Sequence, residues 1–408
     1  MSATEMIRYP ADFGHFTKQE VLMNPFTYNY PVKVYFGEKA ASRNLAAELA
    51  KVGQNVLLAY GGGSIKKNGV YDELLDILKE AGKTVTEFTG IMSNPTYAKV
   101  QEGAALAQEK NIDFILAVGG GSVIDCCKIV SAQAKLNKDI WELEYTDHKQ
   151  PTEFIPMGAV VTAFGTGTEM NNGAVITNEE KKLKSALWGT FYSFAILDPA
   201  YTMTMPMKQV IFGAFDSLSH SMETYMGSPR EVNLSDEINE ATQRNIIRNI
   251  RATLKDPQDI RARSELIWAA AMAENGILKI GKATDFQCHM LEHQLGAYTD
   301  CNHGQGLAVL HPILYRHMIP EANHQFARLA VEVWGVDPAG KTDAELAEAF
   351  VEALAAFIRE IGLPTTFTEM SIPADTDYKA IADSTVMTGG CAKKFTRDEL
   401  LEVLLECR

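Results

Sequence analysis

Short apolar runs alternate with amphipathic segments along the first half of the chain. The apolar runs have the length and composition of buried strands, and the segments between them carry apolar residues at helical spacing. Strands are predicted at 32–36, 55–60, 84–88, 114–118 and 155–161, and helices at 38–52, 71–81, 97–110 and 123–136. Such β–α alternation is typical of a parallel sheet with helices on both faces.

The pattern changes after the tripeptide Leu197-Asp198-Pro199. Long segments with helical spacing then predominate, at 209–225, 233–253, 260–280, 286–298 and 344–361. A chain of 408 residues is long for a single core, so two domains are the natural expectation. We predict an α/β N-terminal domain over residues 1–198 and an all-α C-terminal domain over residues 199–408.

Composition and charge narrow the range of partners. The 38 Lys and Arg residues against 52 Asp and Glu residues give a net charge of -14, which disfavours nucleic acid. No apolar run approaches the length needed to cross a bilayer, and Glu5, Arg8 and Lys18 interrupt any signal-peptide core. The six cysteines form no CxxC pair. We therefore expect a cytoplasmic protein with reduced thiols and no membrane partner.

A glycine-rich turn, Gly119-Gly120-Gly121-Ser122, lies between a predicted strand and a predicted helix. Glycines let the backbone approach a phosphate closely, and a helix N-terminus supplies unpaired N–H groups and a favourable dipole. The alternative is a glycine-rich turn without a ligand. Because consecutive glycines before a helix cost backbone entropy, we favour a dinucleotide pyrophosphate site.

A second glycine run, Gly61-Gly62-Gly63-Ser64, also follows a strand and continues into Lys66 and Lys67. NAD sites of the Rossmann type usually place an acid near this point for the ribose diol, and this turn has none. Its serine and lysines suit the extra phosphate of NADP, whereas the alternative is an exposed loop with solvated lysines. Asn94 and the segment 162–168 also follow strands, at the edge where ligands bind in open α/β sheets.

Histidines and an aspartate recur at ligand spacing in the second half. His289 and His293 are four residues apart on a predicted helix, and His303 follows a turn. Asp216 and His220 form another pair at the same spacing, for which a surface ion pair is the alternative. Two donors from each group would make a four-ligand site for Fe²⁺ or Zn²⁺.

Two cysteines near these histidines offer a less favoured ligand set. Thiolates from Cys288 or Cys301 would favour zinc. Cys288, however, faces a different direction from His289 on a helix. We therefore expect imidazole and carboxylate ligands rather than thiolates.

Several motifs, in this order along nearly the whole chain, resemble those of the iron-containing (group III) alcohol dehydrogenases, in the branch of butanol dehydrogenases and broad aldehyde reductases. They are Gly-Gly-Gly-Ser-x-x-Asp from Gly119, Thr-x-x-Gly-Thr-Gly-Thr-Glu from Thr162, Leu-Asp-Pro from Leu197, Asp-x-x-x-His from Asp216, and His-x-x-x-His-x-Leu-Gly from His289 leading to His303-Gly304. Cys301 and Asn302 depart from the usual residues of the family.

The resemblance implies a Rossmann-like dinucleotide-binding domain followed by an all-helical metal domain, with the active site between them. It assigns the metal to Asp216, His220, His289 and His303, and places His293 beside substrate and nicotinamide. Together with the turns described above, it gives a set of predicted coenzyme-binding residues: Gly61, Gly62, Gly63, Ser64, Lys66, Asn94, Gly120, Gly121, Ser122, Asp125, Thr162, Thr166 and Lys182. It implies a homodimer and, since Gly62 stands where NAD-preferring members carry an aspartate, a preference for NADP with NAD possible.

The expected activity is reversible hydride transfer between NADP(H) or NAD(H) and a primary alcohol or aldehyde such as butanol or butanal. The metal would act as a Lewis acid on the substrate oxygen, and His293 would relay the proton. One alternative is a non-redox, dehydroquinate-synthase-like metal lyase, which would need a basic cluster that the segment 289–303 lacks. Another is a non-catalytic nucleotide- or metal-binding protein, for which His293 would have no purpose.

Overall fold

The computed structural model describes residues 23–284 and 286–408. The N-terminal charges at Glu5, Arg8 and Lys18, used above to argue against a signal-peptide core, lie outside the described residues, as does Asp285. None of the helices in the described ranges is both long and apolar enough to cross a membrane.

A parallel sheet of six strands lies in the N-terminal half. Its strands are β1 (Lys33–Phe36), β2 (Asn55–Tyr60), β3 (Thr84–Phe88), β4 (Phe114–Gly119), β5 (Met157–Val161) and β8 (Phe194–Leu197). Their spatial order is β1-β8-β5-β4-β2-β3. An antiparallel hairpin of β6 (Gly173–Asn178) and β7 (Leu183–Trp188) stands apart from the sheet. The sequence analysis predicted the parallel sheet and did not predict the hairpin.

Both faces of the sheet are covered because its central strands are apolar on both sides. In β2, Leu57 and Ala59 pack into one core cluster, whereas Val56, Leu58 and Tyr60 pack into the other. This is the burial expected of a strand in a parallel sheet with crossover helices on each face. The crossover helices are α1 (Ala40–Leu49), α2 (Ser64–Lys67), α3 (Val70–Glu80), α4 (Tyr97–Glu109), α5 (Gly121–Gln133) and α6 (Ile140–Tyr145).

Helices make up the regular structure described after β8. They are α7 (Pro199–Thr202), α8 (Met207–Tyr225), α9 (Leu234–Lys255), α10 (Ile260–Glu274), α11 (Gln287–Thr299), α12 (His303–Glu332), α13 (Asp343–Glu360), α14 (Tyr378–Ser384) and α15 (Arg397–Glu406). Short 3₁₀ turns lie at Thr168–Met170 and Ile277–Lys279. The predicted fold class, α/β followed by all-α, is confirmed.

Two of the longer helices differ from the sequence-based expectation. The helix predicted over 260–280 ends at Glu274, because Gly276 adopts a left-handed conformation with φ of 87° and a 3₁₀ turn follows. The helix α12 was not predicted, and it contains Pro312 and Pro320. Proline weakens a helical pattern, and α12 is kinked at Ala322, where φ of -125° and ψ of 17° are not helical.

Candidate metal centre and coenzyme loops

Three helices of the C-terminal half supply the predicted metal ligands. Asp216 and His220 lie one turn apart on α8, His289 lies in the first turn of α11, and His303 begins α12. Asp216, His220 and His289 are buried, and His303 is partly buried. The alternative of a surface ion pair for Asp216 and His220 is therefore wrong.

The three imidazoles surround one carboxylate oxygen. From Oδ1 of Asp216, the distance to Nε2 is 3.6 Å for His220, 3.5 Å for His289 and 3.4 Å for His303. Asp216, His289 and His303 form a group whose ligand atoms all lie within 4.8 Å of one another. His220 stacks on His289, with 4.6 Å between the ring centroids.

Two glutamates contact two of the three imidazoles, those of His289 and His303, at Nδ1. Glu223 pairs through Oε2 with Nδ1 of His289, and its Oε1 accepts the backbone N–H of Cys288 at 2.7 Å. Glu292 pairs through Oε2 with Nδ1 of His303, and Nζ of Lys184 lies 3.5 Å from the same oxygen. A carboxylate on Nδ1 fixes the ring orientation and leaves Nε2 as the free donor atom, as in metal sites generally.

The donor set fits a divalent cation. Oδ1 of Asp216 and Nε2 of His289 are buried side-chain atoms with no hydrogen-bond partner in the described part of the chain. Leaving such atoms unpaired is costly, so an unpaired cluster indicates a missing partner. Ligands about 2.0–2.2 Å from a tetrahedral centre are roughly 3.3–3.6 Å apart, which matches the spacing around Asp216.

Electrostatics favour the ionised carboxylate at this point. Burial raises the pKa of Asp216, but the imidazoles of His220 and His303 outweigh it and hold the pKa well below its usual range. Burial likewise raises the pKa of Glu223, and His289 reverses that shift so that the net pKa is lowered. Both carboxylates are therefore ionised at neutral pH.

His293 lies next to this group and, with Glu292 and His303, forms a second group whose ligand atoms all lie within 4.8 Å of one another. Its ring centroid is 6.0 Å from that of His289 and 5.5 Å from that of His303. Its Nδ1 is buried without a hydrogen-bond partner among the described residues. Burial lowers the pKa of His293 well below its usual value, so the ring is neutral at neutral pH.

The first glycine turn connects β4 to α5. Gly120 is the N-cap of α5 in an extended conformation, and Gly121 and Ser122 open the helix, so their N–H groups point out of its N-terminus. A Cβ on Gly121 would lie 2.3 Å from Oγ1 of Thr166, so only glycine fits there. The backbone N–H of Thr162 donates to the carbonyl of Gly119 at 2.9 Å, which holds the two loops together.

Asp125 has its oxygens engaged inside the protein. Its Oδ1 accepts the hydroxyl of Thr168 at 2.5 Å, and its Oδ2 accepts the backbone N–H of Val175 at 2.9 Å. The buried ammonium of Lys128 donates to the hydroxyl of Thr168 at 2.5 Å and to Oδ1 of Asn171 at 2.9 Å. Asp125 therefore supports the segment that carries Thr166.

The second glycine turn, 61–63, lies between β2 and α2. Gly61 accepts the backbone N–H of Gly90 at 3.1 Å, Gly63 has φ of 88°, and a Cβ on Gly62 would meet nothing within 4 Å. Ser64 is the first residue of α2. Nζ of Lys66, at a half-exposed position, lies 3.2 Å from Oε2 of Glu87 on β3.

Asn94 and Lys182, two predicted coenzyme contacts, lie next to the end of α11. Nδ2 of Asn94 donates to Oδ1 of Asp300 at 2.7 Å. Nζ of Lys182 lies 5.7 Å from the ring centroid of Tyr298. Both contacts join the α/β half of the molecule to the segment between His289 and His303.

Sequence reasoning missed three acidic residues of the site: Glu223, Glu292 and Glu87. Helical spacing contained a signal for two of them, because Glu223 follows His220 by three residues and Glu292 follows His289 by three. Glu87 had no such signal, since its partner Lys66 belongs to another element.

Comparison with known proteins identifies the family of the chain. A family model described as iron-containing alcohol dehydrogenase matches residues 31–199, and one for the C-terminal part of the same family matches residues 210–407. The chain therefore belongs to the iron-containing alcohol dehydrogenase family, and it is an oxidoreductase, as its motifs predicted.

Similar proteins cover almost its whole length. A probable NADH-dependent butanol dehydrogenase of Bacillus subtilis is 39% identical over 387 residues, which is 94% of this chain and 99% of the relative. The NADPH-dependent aldehyde reductase of Escherichia coli is 36% identical over 361 residues, covering 86% and 92%. The crystal structure of NADH-dependent butanol dehydrogenase A from Thermotoga maritima superposes with a TM-score of 0.88 at 33% identity, covering 94% and 99%.

Proposed function

We propose that this enzyme interconverts primary alcohols and aldehydes, such as butanol and butanal, with a nicotinamide coenzyme and one divalent metal. The observation that carries the proposal is the buried carboxylate oxygen of Asp216, with three imidazole Nε2 atoms 3.4–3.6 Å away. The names of the relatives, butanol dehydrogenases and an aldehyde reductase, support this substrate class over a lyase or a non-catalytic binder.

The metal ligands in this proposal are Asp216, His220, His289 and His303. Imidazole and carboxylate suit both Fe²⁺ and Zn²⁺, and the family description favours iron. Thiolates are not part of this proposal, because neither of the two groups of close ligand atoms in the described residues includes a cysteine.

The coenzyme in this proposal lies across the carboxyl ends of β4, β2 and β5. Gly120, Gly121 and Ser122 would hold the pyrophosphate through the N-terminus of α5. Thr162 and Thr166 belong to the facing loop, which Asp125 supports through Thr168. The other proposed contacts are Gly61, Gly62, Gly63, Ser64, Lys66, Asn94 and Lys182.

NADP(H) is the preferred coenzyme in this proposal, and NAD(H) is also accepted. The open space at Gly62, where no acid opposes a 2′-phosphate, supports NADP(H). The pairing of Lys66 with Glu87 limits that preference, and the relatives include both NADH- and NADPH-dependent enzymes.

When bound, the metal supplies Lewis acidity at the substrate oxygen and the nicotinamide supplies or accepts the hydride. Glu223 and Glu292 keep the imidazoles of His289 and His303 oriented throughout. His293, neutral and next to both rings, is in position to take the alcohol proton and return it in the reverse direction.

Three broader expectations belong to the same proposal. The division into residues 1–198 and 199–408 is supported by the end of β8 at Leu197 and the start of α7 at Pro199. A cytoplasmic location is supported by six free cysteines. A homodimer is supported by the family resemblance.

A reconstitution assay tests the function directly. The protein is stripped of metal, reloaded with Fe²⁺ or Zn²⁺, and mixed with butanal and either NADPH or NADH. We expect loss of nicotinamide absorbance only in the reloaded samples. Metal-free protein that reduces butanal at the same rate would contradict the proposal.

A further inference from the structure

Lys66 is surrounded by acceptors and aromatic rings at the second glycine turn. Its Nζ lies 3.2 Å from Oε2 of Glu87, 4.4 Å from the ring centroid of Tyr71 and 5.1 Å from that of Tyr60. The aromatic faces and the carboxylate together attract the ammonium. Lys66 is thus held against β3 in this structure.

Glu87 is fixed in turn by two phenol groups. The hydroxyl of Tyr71 donates to Oε1 at 2.7 Å, and the hydroxyl of Tyr60 donates to Oε2. These hydrogen bonds, ahead of the ammonium of Lys66, lower the pKa of Glu87 below its usual value, so the carboxylate is ionised at neutral pH. A negatively charged carboxylate therefore lies next to Lys66, the lysine that follows the second glycine turn.

We propose that Glu87 determines how strongly this enzyme discriminates between NADP(H) and NAD(H), by holding the ammonium of Lys66 and weakening its attraction for the 2′-phosphate. The inference rests on the proposed coenzyme site. The acid that other dinucleotide sites carry in the turn itself, where this chain has Gly62, is replaced here by an acid on the neighbouring strand. Glu87 acts through Lys66, so it is a positioning residue that sets specificity.

The proposal predicts opposite effects for the two partners. Glu87→Gln keeps an oxygen for the tyrosine hydroxyls and removes the charge, so Lys66 is released towards the phosphate. Relative affinity for NADPH over NADH should rise roughly two- to fivefold, the size expected for an exposed ion pair. Lys66→Gln should lower the same ratio, and both effects should shrink at high salt.

A double-mutant cycle tests the route of the effect. Dissociation constants for NADPH and NADH are measured by nicotinamide fluorescence for wild type, Glu87→Gln, Lys66→Gln and the double variant. We expect Glu87→Gln to change the ratio in the wild-type background and to have no effect once Lys66 is absent. The matched control is Asp383→Asn, which neutralises the acid of the exposed Lys379–Asp383 pair on α14 and should leave the ratio unchanged.

Each outcome bears on the proposal. An unchanged ratio in Glu87→Gln, or an equal shift in the Lys66→Gln background, overturns it. If Glu87→Gln fails to fold, an unchanged ratio in Lys66→Gln, at a half-exposed position, overturns it as well. If neither coenzyme binds the wild type, the proposed coenzyme site and this inference are both wrong. If both coenzymes bind and butanal is not reduced, only the proposed reaction is wrong.

Discussion

Oδ1 of Asp216 lies 3.4 Å from Nε2 of His303, although the aspartate belongs to the middle of α8 and the histidine begins α12. The same oxygen lies 3.5 Å from Nε2 of His289 on α11. Three separate helices therefore converge on one oxygen that has no hydrogen-bond partner in the described residues. A cation is the partner that we propose for this oxygen, and the first prediction concerns it.

Removing a ligand should remove the metal. His289→Ala or His220→Ala should abolish both bound metal and activity, since each removes one nitrogen from the group around Asp216. Glu223→Gln should keep the nitrogen and lose its orientation, which costs roughly 10–100-fold in metal affinity. Elemental analysis of purified protein measures the effect. His324→Ala, at an exposed histidine paired with Asp343, is the control and should retain its metal. Full metal in either alanine variant would show the ligand assignment to be wrong.

An acid at the second glycine turn should change the coenzyme preference. Gly62→Asp fits without a clash, because a Cβ there meets nothing within 4 Å. Its carboxylate would repel the 2′-phosphate, so kcat/KM for NADPH relative to NADH should fall roughly tenfold or more. Gly62→Asn is the matched control, with similar size and no charge, and should change the ratio much less. A wild-type enzyme with higher kcat/KM for NADH would contradict the preference inferred from this turn.

A single methyl group at the first glycine turn should weaken coenzyme binding. In Gly121→Ala the new Cβ would lie 2.3 Å from Oγ1 of Thr166, so the two loops must separate. Overpacking of this kind costs about 1–3 kcal/mol, and we expect roughly ten- to hundredfold weaker coenzyme binding in fluorescence titrations. Metal content should not change. The control is Gly389→Ala, where a Cβ has open space. Unaltered coenzyme affinity in Gly121→Ala would argue against a pyrophosphate site at this turn.

Loss of the proposed proton-transfer group should slow turnover without loss of metal. His293→Ala should lower kcat by roughly 10²–10⁴-fold, the usual contribution of a positioned acid–base group. Metal content and coenzyme affinity should stay close to wild type, because the ligand rings are held by Glu223 and Glu292. His317→Ala, at a histidine paired with Glu406, is the control. A His293→Ala variant with full metal and wild-type kcat would limit this residue to packing.

The glycine turns and the two i, i+4 pairs could be recognised from the sequence because their signals are local. Strand length, helical spacing and turn residues predicted the parallel sheet, the helical second half and a helix from residue 123, two residues after α5 begins at Gly121. The spacing of Asp216 and His220 required both to share one helix face, and the structure buries that face. The hairpin of β6 and β7 was not predicted, although its two strands are as long as β2 and β4.

Only the tertiary structure decided which groups meet. The spacing of His289 and His303 says nothing about the distance of either from Asp216, because that distance depends on how α8, α11 and α12 pack. The carboxylates of Glu223 and Glu292 became recognisable as partners of the imidazoles only once those helices were in place. Lys66 looked like a free phosphate ligand in the sequence, and the structure pairs it with Glu87 on a neighbouring strand. Local sequence specifies elements and turns, whereas pairings between distant side chains arise from packing, which no short-range pattern encodes.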